Sequence, residues 1–580
     1  MKFSSLLTGA PLVAWAVGCG AVSTGPRVLD TRQGVTYKGL NRNGIEVFLG
    51  IPFGKDTSGA NRFKPPRPYT HVPGAIVDAT SYGPACPQSI EAAHPPFAYT
   101  DVSEISEDCL NLIIGRPKGT TRNSRLPVMV WIYGGSFWSG QNREAAHSPD
   151  GIITQSVANG LPVIVVAINY RLGVFGFAQS AALEAEGSEN AGLRDQRLAL
   201  EWVRDHIDQF GGDPDKVTIF GQSSGGLAVG MQIMAYGGTR PVPFQQGICE
   251  SQANEPGITG NFTSTAMQLV VDNVGCNTSS LHSAETVDCL RNFDMETLLN
   301  ASIATYVGDI SHNIGDIWLP VVDGDFLPAA PSQLIKEGRF AHVTTMIGWC
   351  NNDLTLFTDT TITTEEQAHD FIQSYVPTMT SANVDKLLSL YPVSDFEANE
   401  SANLSSQFYR TAQAFRDILM VCQPIFYAEN LAKRGNDVYL YDWNQTISDQ
   451  IIKGLWNGTG YGVIHTSDLE YIFGNISLYD NGEYPFRATE ADYALSSRGS
   501  RSWSTFASTG KPSSRGNGTF AGFTTAFPGG GEMEIFIAGG PHEGLSPIDG
   551  PGAKDVLAAQ RLRERCAFIN SDEIIAQLKY

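Results

Sequence analysis

Two stretches of this chain, LPVMVWIY (126–133) and LPVIVVAIN (161–169), are apolar almost without a break and rich in Val and Ile. A strand of this kind needs cover on both faces, which a parallel sheet wrapped by helices supplies. VTIF (217–220), VTTMIGW (343–349) and VYLYDW (438–443) repeat the pattern. Helical patterns lie between the runs. GLRDQRLALEWVRDHIDQF (192–210) sets Leu193, Gln196, Leu200, Val203 and Ile207 along one side and stops at Gly211 and Gly212. GLAVGMQIMAY (226–236) follows the third run. Strands alternating with helices predict an α/β fold with a central, mostly parallel sheet. The region 360–435 reads as a helix-rich lobe, and 84–106 and 508–532 as loop insertions. With no internal repeat and no linker-like tract, residues 23–580 read as a single domain.

The bulk numbers exclude several classes of function. Across 580 residues the net charge is −21, which repels nucleic acid and anionic membranes. At the N-terminus Lys2 precedes an apolar run that ends near Val17, followed by small residues. Residues 1–22 therefore read as a signal peptide of a secreted, extracellular protein, and the run is too short for a membrane anchor. There are nine cysteines, and without Cys19 eight remain, too sparse for a disulfide scaffold and without zinc spacing. Cys86–Cys109 and Cys276–Cys289 are plausible local bridges, and the pairing of Cys249, Cys350, Cys422 and Cys566 is open. Asn261, Asn277, Asn300, Asn399, Asn403, Asn444, Asn457, Asn475 and Asn517 stand in N-x-S/T and are candidate glycosylation sites.

The chemistry is concentrated in VTIFGQSSGGLA (217–228). Gly221-Gln222-Ser223-Ser224-Gly225 satisfies G-x-S-x-G in one register, which makes Ser223 the nucleophile candidate at a strand-to-helix elbow. The backbone N–H of Ser224 then falls where one oxyanion donor belongs. A serine hydroxyl needs an imidazole to take its proton and an acid to orient that imidazole. His465, in TGYGVIHTSDLEYIFG, and His542, in GGPHEGLSP, are the base candidates, whereas His147, His206 and His369 read as surface residues. Asp353 is the first carboxylate beyond the strand 343–349, where loops face the ligand crevice of an open α/β sheet. An Asx cap in NNDLT is the other reading of that residue, and Asp468 and Glu470 are the reserve acids. Gly134 and Gly135, just past the strand 126–133, can turn their N–H groups toward a ligand.

These residues resemble the type-B carboxylesterase and lipase family, which includes the cholinesterases. FGQSSGG (220–226) is similar to that family's FGESAGG signature, and SEDCLNL (106–112) to its second signature. FLGIPFG (48–54), WIYGGSF (131–137), NYRLGVFGF (169–177), NAGLRDQRLALEWVRDHIDQFGGDP (190–214) and GVIHTSDLEYIFG (462–474) extend the match over most of the chain, in the family's order. The resemblance implies an α/β-hydrolase fold with loop insertions over the active site, in a secreted member of fungal type. It implies Ser223 as nucleophile, His465 as base, Asp353 as acid, and the N–H groups of Gly135, Ser136 and Ser224 as oxyanion hole. Cys86–Cys109 and Cys276–Cys289 would be disulfides and Arg62 would pair with Glu107, while His542 becomes a structural or surface residue. Three departures stand out: the family usually carries Glu where this chain has Asp353, cholinesterase-like members have Glu at Gln222, and Ser136 replaces a usual glycine.

The implied activity is that of a serine carboxylesterase acting on small neutral esters of short or medium acyl chain, with aromatic groups among the candidates. No metal or organic cofactor is expected. The loop between Cys86 and Cys109 carries EAAHPPFAYT (91–100), with two adjacent prolines and little apolar area, unlike a long amphipathic lid. A triacylglycerol lipase or sterol esterase with interfacial activation is the alternative, and transient contact with a lipid interface is left open. Phe137, Trp138, Gln222, Phe97 and Tyr99 are the pocket candidates, with core packing the alternative for Phe137 and Trp138.

Overall fold

In the computed structural model, which describes residues 25–253, 255–313, 316–484, 486–514 and 518–580, the five apolar runs all enter one eleven-stranded sheet. The leader assigned to 1–22 and the sequon at Asn517 lie outside the described residues. In chain order the strands are β1 Leu40–Arg42, β2 Ile45–Pro52, β3 Asn111–Pro117, β4 Leu126–Ile132, β5 Ile164–Ile168, β6 Gly212–Gln222, β7 Gln246–Glu250, β8 Thr344–Cys350, β9 Val438–Trp443, β10 Glu534–Ala538 and β11 Gly544–Pro547. Their order in space is β11-β10-β9-β8-β7-β6-β4-β5-β3-β2-β1. The seven strands from β5 to β10 in that order run parallel, and the outer pairings are antiparallel. A separate small sheet joins Arg27–Asp30, Val35–Lys38 and Ile76–Asp78.

Burial explains the composition of the central strands. Every residue of β5 and β9 is buried, as the parallel layout demands. The helix Ser224–Met234 is buried along its whole length, so its SGGLAVGMQIM sequence has almost no polar face. The helix Ala191–His206 continues as a 3-10 turn to Phe210 and ends at Gly211, whose φ of 91° suits glycine. β6 then starts at Gly212, earlier than the run 217–220 suggests, because Gly212 pairs with Leu126 across a bulge. The region 360–435 is helical as expected, with Glu365–Tyr375, Ser381–Ser389, Ser406–Arg416 and Cys422–Lys433.

Covalent and ionic ties hold the peripheral loops. Cys86–Cys109 and Cys276–Cys289 are bonded, and a third bridge, Cys422–Cys566, joins two helices 144 residues apart in sequence. Cys249 and Cys350 are free and buried. Arg62 meets Glu107 in a buried two-pronged ion pair, both contacts at 2.7 Å, and also donates to the Leu290 and Phe293 carbonyls. Paired and fully hydrogen-bonded, the guanidinium fastens the loop at Cys109 to the segment after Cys289.

Register fixes where the site forms. Gln222, Glu250 and Gly348 are aligned across β6, β7 and β8. The residues just beyond them, Ser223, Ser251 and the loop through Asp353, therefore emerge together at the carboxyl edge of the sheet.

Candidate active site

Ser223 is held at φ 61° and ψ −129°, outside the comfortable regions for a side-chain-bearing residue. Such a conformation costs about 1–3 kcal/mol and persists only where the surroundings impose it. Here the Ser223 N–H donates to the Glu250 carbonyl at 2.9 Å, and the Ser223 carbonyl accepts from Leu227 N–H at 2.9 Å. The flanking glycines are required by close approach. A Cβ on Gly225 would fall 2.2 Å from the Ile132 carbonyl oxygen, and one on Gly134 would fall 2.4 Å from the Gln222 carbonyl oxygen.

His465 reaches the same edge on the long excursion after β9. Its Nδ1 donates to Asp353 Oδ1 at 2.8 Å, with both residues buried. Asp353 is fixed from three sides. Its carboxylate accepts from Ser251 Oγ–H at 3.0 Å and from Cys350 N–H at 2.7 Å, and its carbonyl accepts from His465 N–H at 3.2 Å. Asn352 adds a second tie between the loops, accepting from Val463 N–H at 3.0 Å and donating its own N–H to the Val463 carbonyl. The reserve acids are engaged elsewhere. Asp468 accepts from Tyr441 Oη–H, and Glu470 accepts from the Ser448 hydroxyl and Ile447 N–H. Burial, then the nearby Asp353 charge, pushes the Asp468 carboxyl up to about 6, and burial pushes Glu470 up to about 8.

Ser223 and His465 line one cavity of about 350 Å³, together with Gly134, Gly135 and Ser136. No hydrogen bond joins Ser223 Oγ to His465 among the described residues; the Gln222 amide nitrogen lies over the imidazole face, 3.1 Å from Nε2 and 3.4 Å from Nδ1. Gly135, Ser136 and Phe137 take φ values of 115°, 53° and 59°, three consecutive residues of positive φ beside the cavity. Ser224 is the first residue of its helix, so its N–H has no partner within the helix. Its hydroxyl accepts from Phe137 N–H at 3.3 Å.

The pocket candidates divide. Gln222, Phe97 and Trp138 line the cavity, and Trp138 stacks on Tyr306 at 4.1 Å. Phe137 does not. The positive φ at that residue turns its ring into the core, 4.6 Å from Phe177. Tyr99 also falls away, its ring meeting Tyr479 and Tyr484 edge-on. His542 is exposed on the turn before β11. His147 is not a surface residue: it packs against Trp131 and Phe473 at the cavity wall, where burial pushes its imidazole down to about 3. His206 is likewise drawn inward, with Nδ1 2.9 Å from Asp30, while His369 bonds Ser381 on the surface.

Of the sequons, Asn261, Asn277, Asn300, Asn403 and Asn457 are exposed, and Asn399 is half-buried. Asn444 does not suit a glycan, because its amide nitrogen is buried. Asn475 is committed to the backbone at Ser148 and Gly151. Ser251 and the Cys350 N–H are the functional groups that the sequence did not single out; position immediately past a strand end was the available signal.

The loop between Cys86 and Cys109 is anchored over this cavity. Glu144 accepts from Tyr99 N–H and Thr100 N–H, and Arg143 donates to the Asp101 carbonyl and Ser103. No helix among the described residues is long and apolar enough to cross a membrane.

Comparison with known proteins adds three observations. Residues 27–529 match the carboxylesterase family model. A secreted lipase of Arthroderma benhamiae is 55% identical over 555 residues, covering 96% of each chain, and an inactive carboxylesterase-like protein of Byssochlamys spectabilis is 36% identical over 503 residues, 83% of each. Among solved structures, EstA of Aspergillus niger superposes with a TM-score of 0.76 at 24% identity, over 96% of this chain and 99% of that one.

Proposed function

The chain belongs to the carboxylesterase family of ester-cleaving serine hydrolases, and on that premise we propose that it is a secreted carboxylesterase working through Ser223, His465 and Asp353. The observation that carries the reading is the 2.8 Å contact between His465 Nδ1 and buried Asp353, in the wall of the cavity that Ser223 enters. Secretion draws further support from the relative named as a secreted lipase.

In this mechanism His465 Nε2 takes the proton of the Ser223 hydroxyl as Oγ bonds to the ester carbonyl carbon. Asp353 holds the ring with Nδ1–H toward itself and stabilises the imidazolium. The carbonyl oxygen, now anionic, accepts from the Gly135, Ser136 and Ser224 N–H groups, each worth about 3 kcal/mol in the transition state. His465 passes the proton to the leaving alcohol. Water, deprotonated by the same imidazole, then attacks the acyl-enzyme and releases the acid.

Neutral esters of short or medium acyl chain, aromatic ones included, suit the site. Gln222 puts no charge beside the acyl centre, and Phe97 and Trp138 give it apolar walls. A triacylglycerol lipase is the second reading, favoured by the name of the 55% identical relative. The anchoring of the 86–109 loop by Glu144 and Arg143 weighs toward an esterase open without lid movement. Because one relative is described as inactive, the direct test is turnover itself. Wild type hydrolyses 4-nitrophenyl butyrate and Ser223→Ala loses nearly all turnover while still binding the ester; equal rates in both would discard the assignment.

A further inference from the structure

The cavity does not end at the catalytic side chains. The Phe357 ring meets the His465 imidazole edge-on, with centroids 5.8 Å apart and planes at 77°. Phe97 lies 5.6 Å beyond Phe357, and Trp456 lies 6.4 Å beyond Phe97. Phe357 and Phe97 line the cavity. Trp456 is the last residue of the helix Ser448–Trp456 and keeps 48% of its surface exposed, with its neighbour Leu455 at 45%. Three aromatic rings thus run from the imidazole to the solvent.

The periodicity of a single helix does not produce this row. Phe97 belongs to the loop closed by Cys86–Cys109, Phe357 to the short turn Thr355–Phe357 after Asp353, and Trp456 to a helix end before His465. Two of the three segments also carry members of the proposed triad or stand close to them in sequence. An exposed indole continuous with a cavity differs from an apolar residue scattered on the surface, which needs no explanation.

The chemistry of the reaction assigns a direction. In acylation His465 protonates the leaving oxygen, so the group carried by that oxygen must lie on the imidazole's side of the cavity. The aromatic row begins on that side. We infer that Phe357, Phe97 and Trp456 form the site for the alcohol portion of the ester, with Trp456 the specificity-determining residue at its outer end. Preferred substrates then carry an apolar alcohol group, aryl or extended alkyl, long enough to leave the cavity and lie on the indole. This deepens the ester-hydrolase reading and rests on it.

The test uses two series of soluble esters held below their aggregation limits, on the full-length enzyme. One keeps the acyl group as acetate and varies the alcohol from methyl to octyl, with benzyl added. The other keeps methanol and varies the acid from acetate to octanoate. For Trp456→Ala the ratio of octyl acetate to methyl acetate kcat/KM falls by about tenfold, mainly through KM, as expected for several methylenes losing apolar contact. Trp456→Phe restores most of the ratio, and the ratio across the acyl series stays near the wild-type one. A loss that grows with acyl length, or no graded loss in either series, overturns the assignment. So does a loss that appears only when octyl acetate is raised above its aggregation limit in a separate run, which would make Trp456 a contact for a lipid surface. Failure of the underlying reading shows separately, as ester turnover that survives Ser223→Ala.

Discussion

The side-chain amide nitrogen of Gln222 sits 3.4 Å from His465 Nδ1, the nitrogen bonded to Asp353, and 3.1 Å from Nε2. Nε2 is the nitrogen that must take the Ser223 proton. Near-equal distances to both ring nitrogens put the amide over the ring face, so the in-plane lone pair of Nε2 stays open to the Ser223 hydroxyl. A net hydrogen bond is worth about 0.5–1.5 kcal/mol and Gln222→Leu removes none from that lone pair, so fluorophosphonate labelling of Ser223 should stay within about threefold of wild type. The labelling rate constant is the readout, and an acceleration of about tenfold or more would mean that the amide does compete for Nε2.

Asp353 is the carboxylate bonded to His465. Asp468 and Glu470 are buried and bonded to Tyr441, Ser448 and Ile447, not to His465. Asp353→Asn keeps the size of the side chain but not an anionic acceptor for Nδ1–H. By analogy with the same change in a serine protease triad, kcat should fall by about 10⁴. Rates within tenfold of wild type would move the acid role elsewhere.

Glu470 makes stability depend on pH. Burial pushes its carboxyl up to about 8, from an ordinary value of 4.5. Between those values the folded protein holds a proton that the unfolded chain releases, so stability falls as pH rises, by up to about 1.4 kcal/mol per pH unit. The contribution is fully present below 4.5 and lost as pH passes 8. Glu470→Gln stays neutral throughout and should flatten the decline in thermal midpoint between pH 5 and pH 8. An identical decline in both proteins would contradict the assignment of the proton to Glu470.

The Cys422–Cys566 bridge closes the longest covalent loop among the described disulfides, 144 residues, and neither of its cysteines lines the cavity. Loop-closure entropy for a bond of that span corresponds to about 5 kcal/mol, with observed losses of about 2–5 kcal/mol on removal of native bonds. The double variant Cys422→Ala, Cys566→Ala should lower the urea midpoint accordingly while keeping kcat at 25 °C near wild type. An unchanged midpoint would mean that the bridge does not constrain the unfolded chain.

The parts legible in the sequence were those set by short-range rules. Uninterrupted Val and Ile runs marked β4, β5, β8 and β9 because such strands are covered on both faces. The elbow was legible because Gly221 and Gly225 must be small where β6, the helix after it and β4 converge. The ring direction of Phe137 was not, since it depends on three consecutive positive φ values that WIYGGSFWSG does not announce. Tyr99 was lost to two tyrosines nearly 400 residues further on, Tyr479 and Tyr484. The Cys422–Cys566 pairing has no local spacing to betray it. The Gln222 contact with the His465 ring and the exposed Trp456 next to Phe97 are likewise relationships between distant segments, visible only after folding.

The most direct measurement is capture of the covalent intermediate. Wild-type enzyme mixed with excess 4-nitrophenyl butyrate, quenched in acid during the first turnovers and digested, should yield the peptide containing Ser223 heavier by one butyryl group. The same experiment on Ser223→Ala should yield no acylated peptide. A butyryl group on another residue, or steady turnover with no acyl-enzyme at any time, would contradict the account.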